Sequence, residues 1–127
     1  VLLFGYLTGY SMLTIADLQT WLAEFAPPRL AADWDNVGLL VGDPTREVTR
    51  VMTCLTVTAE SAAEAIREGA QAIVAHHPFP FSATKRITSE THPGRLLLSL
   101  IEARVAVLSP HTAFDSARFG INRRLAE

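Results

Sequence analysis

Two adjacent histidines, which follow an apolar segment, are the first residues in the sequence that point to chemistry. The segment reads QAIVA, residues 71–75, and His76 and His77 come directly after it. The chain has four histidines among its 127 residues. Imidazole nitrogens bind transition metals and exchange protons near neutral pH. Three interpretations are open for the pair: metal ligands, a catalytic group, or the plain end of a strand.

A second apolar segment also ends in a histidine and a carboxylate. VAVLS, residues 105–109, is followed by His111 and Asp115. If the two segments are neighbouring parallel strands, their carboxyl ends meet at one edge of the sheet. Successive side chains on a strand point to opposite faces, so His76 and His77 suit two neighbouring metal ions, one imidazole to each. A carboxylate such as Asp115 bridges two ions through its two oxygens, as two-metal hydrolytic sites require.

The remaining polar and aromatic candidates have plainer interpretations. His92 stands beside a polar loop and is expected to be exposed. Trp34 is interpreted as a packing residue, and Asp35 and Asn36 as turn-forming residues. Cys54 lies in an apolar run and is interpreted as a small buried residue. The sequence contains neither the G-x-G-x-x-G pattern of dinucleotide sites nor a P-loop.

Strands and helices alternate along the sequence, which predicts the α/β class. Strands are predicted at residues 49–57, 71–75 and 105–109, and a short one inside the loop 31–44. Helices are predicted from residue 15 to Pro27, over 59–69, over 94–104, and from residue 121 onward. This order indicates βαβ units with a mainly parallel sheet. The elements therefore place both histidine-bearing strand ends where α/β proteins bind their ligands.

The overall composition is that of an ordinary globular protein with one modest domain. The chain is 49% hydrophobic and 19% charged, and its net charge is −2. The absence of a basic excess argues against a broad nucleic-acid interface. We predict a cytoplasmic protein, which a single cysteine suits.

The first eleven residues are apolar and uncharged, and they precede Met12. They show neither the positive region nor the cleavage site of a signal peptide, and they are too short to span a bilayer. We interpret residues 1–11 as an extension upstream of a natural start at Met12. An additional strand is the alternative.

Three segments resemble, in order, three motifs of the Nif-three-like (YbgI-type) dinuclear metal centre proteins, often called GTP cyclohydrolase I type 2 homologues. They are WDNVGLLVGD (34–43), AIVAHHPF (72–79) and PHTAFDSARFGINRRLA (110–126). The resemblance implies that residues 12–127 form the N-terminal part of a Nif-three-like α/β domain, so that the fold is incomplete. Members of this family complete their site with a histidine and a glutamate, four residues apart, near the C-terminus. This chain has no counterpart of that pair.

The resemblance implies a dinuclear metal-dependent hydrolase, of the GTP cyclohydrolase type 2 or phosphoesterase kind, acting on a small molecule. By motif position, His76 and His77 bind the two metals and Asp115 bridges them. His111 lies near the site as a candidate catalytic residue rather than a ligand. Two divalent ions are implied; zinc, manganese, iron and nickel all suit nitrogen and carboxylate ligands.

The resemblance also implies a toroidal homohexamer. The alternative function is non-enzymatic: a metal-binding or partner-binding scaffold whose purpose is the ring assembly. With three ligands, the chain is expected to bind metal weakly.

Overall fold

Helices cover both faces of a five-stranded sheet. The computed structural model describes Leu2–Leu3 and residues 12–127. The strands are β1 (Leu2–Leu3), β2 (Gly38–Val41), β3 (Arg50–Cys54), β4 (Ala72–Ala75) and β5 (Ala106–Ser109). The helices are α1 (Ile15–Phe25), α2 (Ala59–Arg67), α3 (His92–Glu102), α4 (His111–Asp115) and α5 (Ile121–Ala126), with a 3-10 turn at Pro28–Leu30. The strand order across the sheet is β1-β3-β4-β5-β2.

The three central strands run parallel, and each passes to the next through a helix. β3 pairs with β4 from Val51 opposite Ala72 to Cys54 opposite Ala75, and β4 pairs with β5 in the same direction. Parallel neighbours need such crossover connections, which α2 and α3 provide. The predicted α/β class with βαβ units is confirmed. The two edge strands, β1 and β2, run antiparallel to their neighbours.

The helix starts follow from side-chain caps that the sequence supplies. The Thr14 hydroxyl accepts a hydrogen bond from the Asp17 amide at 3.2 Å, and the Asp17 carboxylate accepts one from the Thr14 amide at 2.8 Å. This reciprocal capping box satisfies main-chain donors that a helix start otherwise leaves unpaired. Thr58 caps α2 in the same way, and Thr91 caps α3. These caps fix the residue at which each helix begins.

Two apolar clusters fill the layers on either side of the sheet. Alternate residues of each central strand face opposite layers. On one face, α2 and α3 pack on the strands through Met52, Ile73, Val107, Ala62, Ala65, Leu96 and Leu100. On the other face, α1 packs through Ile15, Leu22, Val51, Ala72, Ala106 and Leu108. The strands are therefore held from both sides, which keeps their carboxyl ends in fixed relative positions.

The antiparallel edge strand β2 brings its preceding loop to the carboxyl end of β5. Gly38 is paired with Ser109, the last residue of β5. At the other end of β2, Gly42 has a φ of +122°, a conformation that side chains rarely adopt. A Cβ on Gly42 would lie 2.9 Å from the Cα atom of Ala106. Because Gly38 pairs with Ser109, residues 35–37 lie at the same rim as the residues that follow β4 and β5.

The N-terminal segment is described only at Leu2–Leu3, which pairs with β3. Val1 and residues 4–11 lie outside the described residues, so the interpretation of residues 1–11 as an extension stays a prediction. Across Leu2–Leu3 and residues 12–127, every helix is too short or too polar to cross a bilayer.

Candidate functional site

Main-chain hydrogen bonds hold the histidine pair just beyond the end of β4. The His76 amide donates to the Cys54 carbonyl at 3.1 Å, and the His77 amide donates to the Leu55 carbonyl at 2.9 Å. These bonds continue the β3–β4 pairing past the last strand residue. The buried Ser109 hydroxyl donates to the His76 carbonyl at 2.7 Å. His76 is therefore fixed by both neighbouring strands.

The structure brings all four predicted site residues together at this edge. The ring centroid of His76 lies 5.2 Å from that of His77 and 5.3 Å from that of His111. The rings of His77 and His111 are 5.9 Å apart. The Nε2 atom of His76 lies 3.7 Å from a carboxylate oxygen of Asp115. Three imidazoles and one carboxylate therefore share one location, while their roles as ligands stay predictions.

The His76 imidazole has the properties of a neutral nitrogen donor. Its Nδ1 atom is buried and, among the side chains that the structure describes, is the single buried nitrogen or oxygen atom without a hydrogen-bond partner. Burial lowers the pKa of His76 below its ordinary value; Asp115 opposes this shift, and His111 and His77 add to it. A neutral imidazole is the form that binds metal. The other ring nitrogen, Nε2, is the one that lies on the side of the Asp115 carboxylate.

The His77 imidazole is oriented by a threonine from the neighbouring loop. Its Nδ1 atom and the Thr56 hydroxyl are hydrogen-bonded at 2.7 Å. Thr56 follows β3, so three consecutive parallel strands each contribute to the site. Because Nδ1 is occupied by Thr56, Nε2 is the His77 nitrogen that remains for a further ligand.

The third histidine is held by a buried carboxylate that the sequence did not identify as a site residue. The His111 Nδ1 atom lies 2.8 Å from Oδ1 of Asp35, whose side chain is fully buried. The Thr112 amide and hydroxyl both donate to Oδ2 of Asp35. Burial raises the pKa of Asp35, but the hydrogen bonds from His111, Thr112 and Asn36 outweigh it and hold the pKa below its usual value. Asp35 is therefore an ionised carboxylate.

The backbone of His111 adopts an uncommon conformation, with a φ of +28°. A non-glycine residue at positive φ costs on the order of 1–3 kcal/mol and persists where surrounding contacts enforce it. The hydrogen bonds of His111 and Thr112 to Asp35 are such contacts. These hydrogen bonds therefore hold the imidazole in place while the backbone of His111 keeps a strained conformation.

An aromatic pair, Trp34 and Phe81, lies beside the histidine cluster on the side of His111. Trp34 is 66% exposed, so its interpretation as a packing residue is wrong. Its ring centroid lies 6.3 Å from that of His111 and 6.2 Å from that of Phe81. The side-chain amide of Asn36 (Nδ2) donates to the Pro80 carbonyl at 2.9 Å and so joins the two loops that carry the aromatic pair. His92 is exposed, as predicted.

The donor set fits a divalent metal, although it does not by itself enclose one. Among the residues that the structure describes, no three His, Cys, Asp or Glu side chains form a complete set around a single ion. The Nε2 atom of His76, the imidazole of His77 and the carboxylate of Asp115 are nevertheless the nitrogen and oxygen donors that such ions prefer. These donors suit a site in which each imidazole binds a different ion and the carboxylate binds both.

Comparison with known proteins agrees with the fold. The chain is 39% identical over 110 residues to a Clostridium acetobutylicum protein named GTP cyclohydrolase 1 type 2 homolog, covering 87% of this chain and 41% of that protein. The crystal structure of a Staphylococcus aureus hypothetical protein matches with a TM-score of 0.87 and 37% identity, over 93% of this chain and 34% of that one. A Bacillus cereus protein related to NIF3 matches with a TM-score of 0.86 and 32% identity, over 92% of this chain and 32% of that one.

The chain thus spans less than half the length of each of these relatives, at 41%, 34% and 32%. Residues 13–127, which the family model matches, include strands β2 to β5 and every residue of the histidine cluster. Residues 13–127 also match the family described as Duf34/NIF3 (NGG1p interacting factor 3). The order of strands, the histidine pair after β4 and these matches agree, and the chain belongs to the DUF34/NIF3 family.

Proposed function

We propose that this chain carries part of a dinuclear metal-dependent hydrolase site, in which His76 and His77 each bind one divalent ion and Asp115 bridges the two. The observation that supports it most is the convergence of three imidazoles and a carboxylate, with Nε2 of His76 facing the Asp115 carboxylate across 3.7 Å. The packing of an apolar strand end does not require such a cluster. A hydrolytic metal site does require one, because its ligands must converge from several strands.

The side chains of this chain would bind and orient the ions. His76 presents a neutral nitrogen because burial lowers its pKa, and Thr56 fixes the ring of His77. When bound, two divalent ions lower the pKa of a water molecule and polarise a carbonyl or phosphoryl oxygen. Zinc, manganese, iron and nickel are the proposed metals, since all accept imidazole and carboxylate together.

The proposed reaction is hydrolysis of a small molecule. The Clostridium acetobutylicum relative carries the name GTP cyclohydrolase 1 type 2 homolog. Ring opening of GTP and hydrolysis of a phosphoester both require water to attack an electrophilic carbon or phosphorus atom. Both substrates belong to the proposal for the whole protein, of which this chain spans a part.

A cobalt titration tests the metal site directly, because Co²⁺ bound to nitrogen and oxygen ligands gives visible absorption. The titration compares the wild-type chain with His77→Ala and Asp115→Ala, and His92→Ala is the control for the loss of an exposed histidine. We expect His77→Ala and Asp115→Ala to weaken Co²⁺ binding by at least about 10-fold, the effect that loss of a supporting hydrogen bond alone produces at many metal sites. Wild-type affinity in both variants would contradict the proposed ligands.

The same proteins are then assayed with GTP and with p-nitrophenyl phosphate in the presence of manganese or zinc. Hydrolysis that both ligand variants lose, while His92→Ala retains it, supports the enzyme. Metal binding without hydrolysis of either substrate supports the scaffold instead.

A homohexamer and a cytoplasmic location also belong to the proposal. Exposed apolar side chains such as Trp21, Leu55 and Leu125 supply surface for self-association. Sedimentation velocity of the chain measures its assembly; a single monomeric species across the accessible concentration range would contradict a hexamer that this part of the protein forms alone.

A further inference from the structure

Asp35 is a buried carboxylate that is hydrogen-bonded to His111, Thr112 and its chain neighbour Asn36. Its side chain is fully buried. Oδ1 accepts from the Asn36 amide at 2.7 Å and is joined to Nδ1 of His111 at 2.8 Å, and Oδ2 accepts from the Thr112 amide at 3.1 Å and from the Thr112 hydroxyl. Burial of an ionised carboxylate is costly unless donors surround it. Here the donors are present, and two consecutive residues of the site provide most of them.

This contact decides which nitrogen of His111 carries the proton. An ionised carboxylate only accepts hydrogen bonds, so the atom facing Oδ1 must be a donor. Nδ1 of His111 therefore carries a hydrogen, and in the neutral ring Nε2 is left with its lone pair. In the part of the chain that the structure describes, Nε2 of His111 has no hydrogen-bond partner. The ring that carries it lies 5.3 Å from the ring of His76, centroid to centroid.

We propose that Asp35 is a positioning residue that fixes His111 in the Nδ1–H tautomer and leaves Nε2 as a free electron-pair donor beside His76 and His77. Imidazoles that serve at metal sites commonly donate their other N–H to a carboxylate, which sets both the ring orientation and the tautomer. The tautomer itself depends only on the contact with Asp35. The use of Nε2 as a further donor to a metal rests on the proposed function and adds His111 to its ligands.

Thr112 anchors the same carboxylate and so provides a matched comparison. Its amide and hydroxyl bind Oδ2, the oxygen that does not face His111. Removing the Thr112 hydroxyl weakens the attachment of α4 to the loop before β2 but preserves the contact between Asp35 and the imidazole. Changing Asp35 itself removes the acceptor.

Long-range proton–nitrogen NMR of the ¹⁵N-labelled, metal-free chain, at a pH where the histidines are neutral, reads the tautomer of His111. We expect wild type to show a protonated Nδ1 and an unprotonated Nε2. In Asp35→Asn the side-chain amide can either accept a hydrogen bond from Nδ1 or donate one to it, so it no longer requires a proton on Nδ1. The ratio of the Nδ1–H tautomer to the Nε2–H tautomer should therefore fall roughly 10-fold or more. Thr112→Val should leave the ratio unchanged.

Three outcomes would overturn the proposal: a wild-type His111 protonated on Nε2, an unchanged ratio in Asp35→Asn, or an equal shift in Thr112→Val. The wild-type spectrum decides the matter alone if Asp35→Asn does not fold. Co²⁺ titration of the same variants separates this inference from the proposed function. If wild type binds no Co²⁺, the metal site fails while the tautomer result stands. If wild type binds Co²⁺, Asp35→Asn should weaken Co²⁺ binding by roughly 10- to 100-fold.

Discussion

The side-chain hydroxyl of Ser109 donates a hydrogen bond to the main-chain carbonyl of His76 across 2.7 Å. The donor is the last residue of β5, and the acceptor is the first residue after β4. Ser109 is 1% exposed, so water does not compete for this contact. The two central strands that feed the site are thereby joined at their ends as well as along their length.

Ser109→Ala is expected to destabilise the fold by about 1–2 kcal/mol, because the His76 carbonyl loses its donor in a buried position. Urea denaturation measures the free energy of unfolding. Ser99→Ala is the control: Ser99 donates to the Leu96 carbonyl at 2.8 Å within α3, where the acceptor also belongs to a helix. An equal loss in both variants would show that the bond between strand ends is not special.

Gly42→Ala is expected to destabilise the protein by on the order of 2 kcal/mol or more, since it adds a side chain at a φ of +122° and against the backbone of Ala106. Thermal and urea unfolding measure the loss. Gly69→Ala is the matched comparison: its φ is +67°, but a Cβ there meets no atom within 4 Å. Gly42→Ala should therefore cost clearly more than Gly69→Ala, and equal costs would show that the close approach to Ala106 relaxes freely.

The capping carboxylate of α1 is expected to make stability depend on acid. Hydrogen bonds from the Thr14 amide and then from its hydroxyl hold the pKa of Asp17 below its ordinary value of 3.8. A carboxyl with a lower pKa in the folded state stabilises the fold above the unfolded pKa and loses that contribution as the pH falls through the folded pKa.

Asp17→Asn should therefore be less stable than wild type by a constant amount from about pH 5 to 7, and the difference should shrink below about pH 4. Chemical denaturation at each pH measures it. Glu24→Gln, which removes an exposed carboxylate from the same helix, controls for net charge. A difference that stays constant down to about pH 2 would contradict the role of the ionised cap.

Cys54 is expected to react slowly with thiol reagents. The residue is half-buried rather than fully buried as the sequence indicated, and burial raises the pKa of its thiol above the ordinary value. The thiolate is the reactive form. At about pH 8 the native chain should react with an aromatic disulfide at least roughly 10-fold more slowly than the chain in urea. Equal rates would show that Cys54 is freely accessible.

The central part of the fold was predictable because its elements carry local signals. Strand β4 at Ala72–Ala75 and strand β5 at Ala106–Ser109 match the predicted apolar segments within one residue. Helix α1 ends at Phe25, just before the proline pair that predicted its end. Helix α4 was not predicted, because five residues between two site residues leave no room for a periodic pattern.

The candidate site was predictable where strands run parallel and not where one runs antiparallel. The histidine pair and His111 follow parallel strands, and the rule for carboxyl ends brings them together. Asp35 precedes β2, whose antiparallel direction places the start of that strand, Gly38, beside the end of β5. Strand direction is a property of the folded sheet, so the local sequence around Asp35 indicated only a turn. The nearby motif match carried the available signal, since WDN begins the first of the three family motifs.

The antiparallel direction of β2 also makes the contact between Asp35 and His111 a measure of completed folding. These residues are 76 positions apart in the chain, and they meet only when β2 pairs with β5 at the sheet edge. Contacts between distant segments form after a large loss of chain entropy, later than the local helices. During refolding, the His111 ring should thus acquire its native environment with the last of the sheet. The histidine cluster at this rim is therefore assembled by the fold as a whole and not by any one segment.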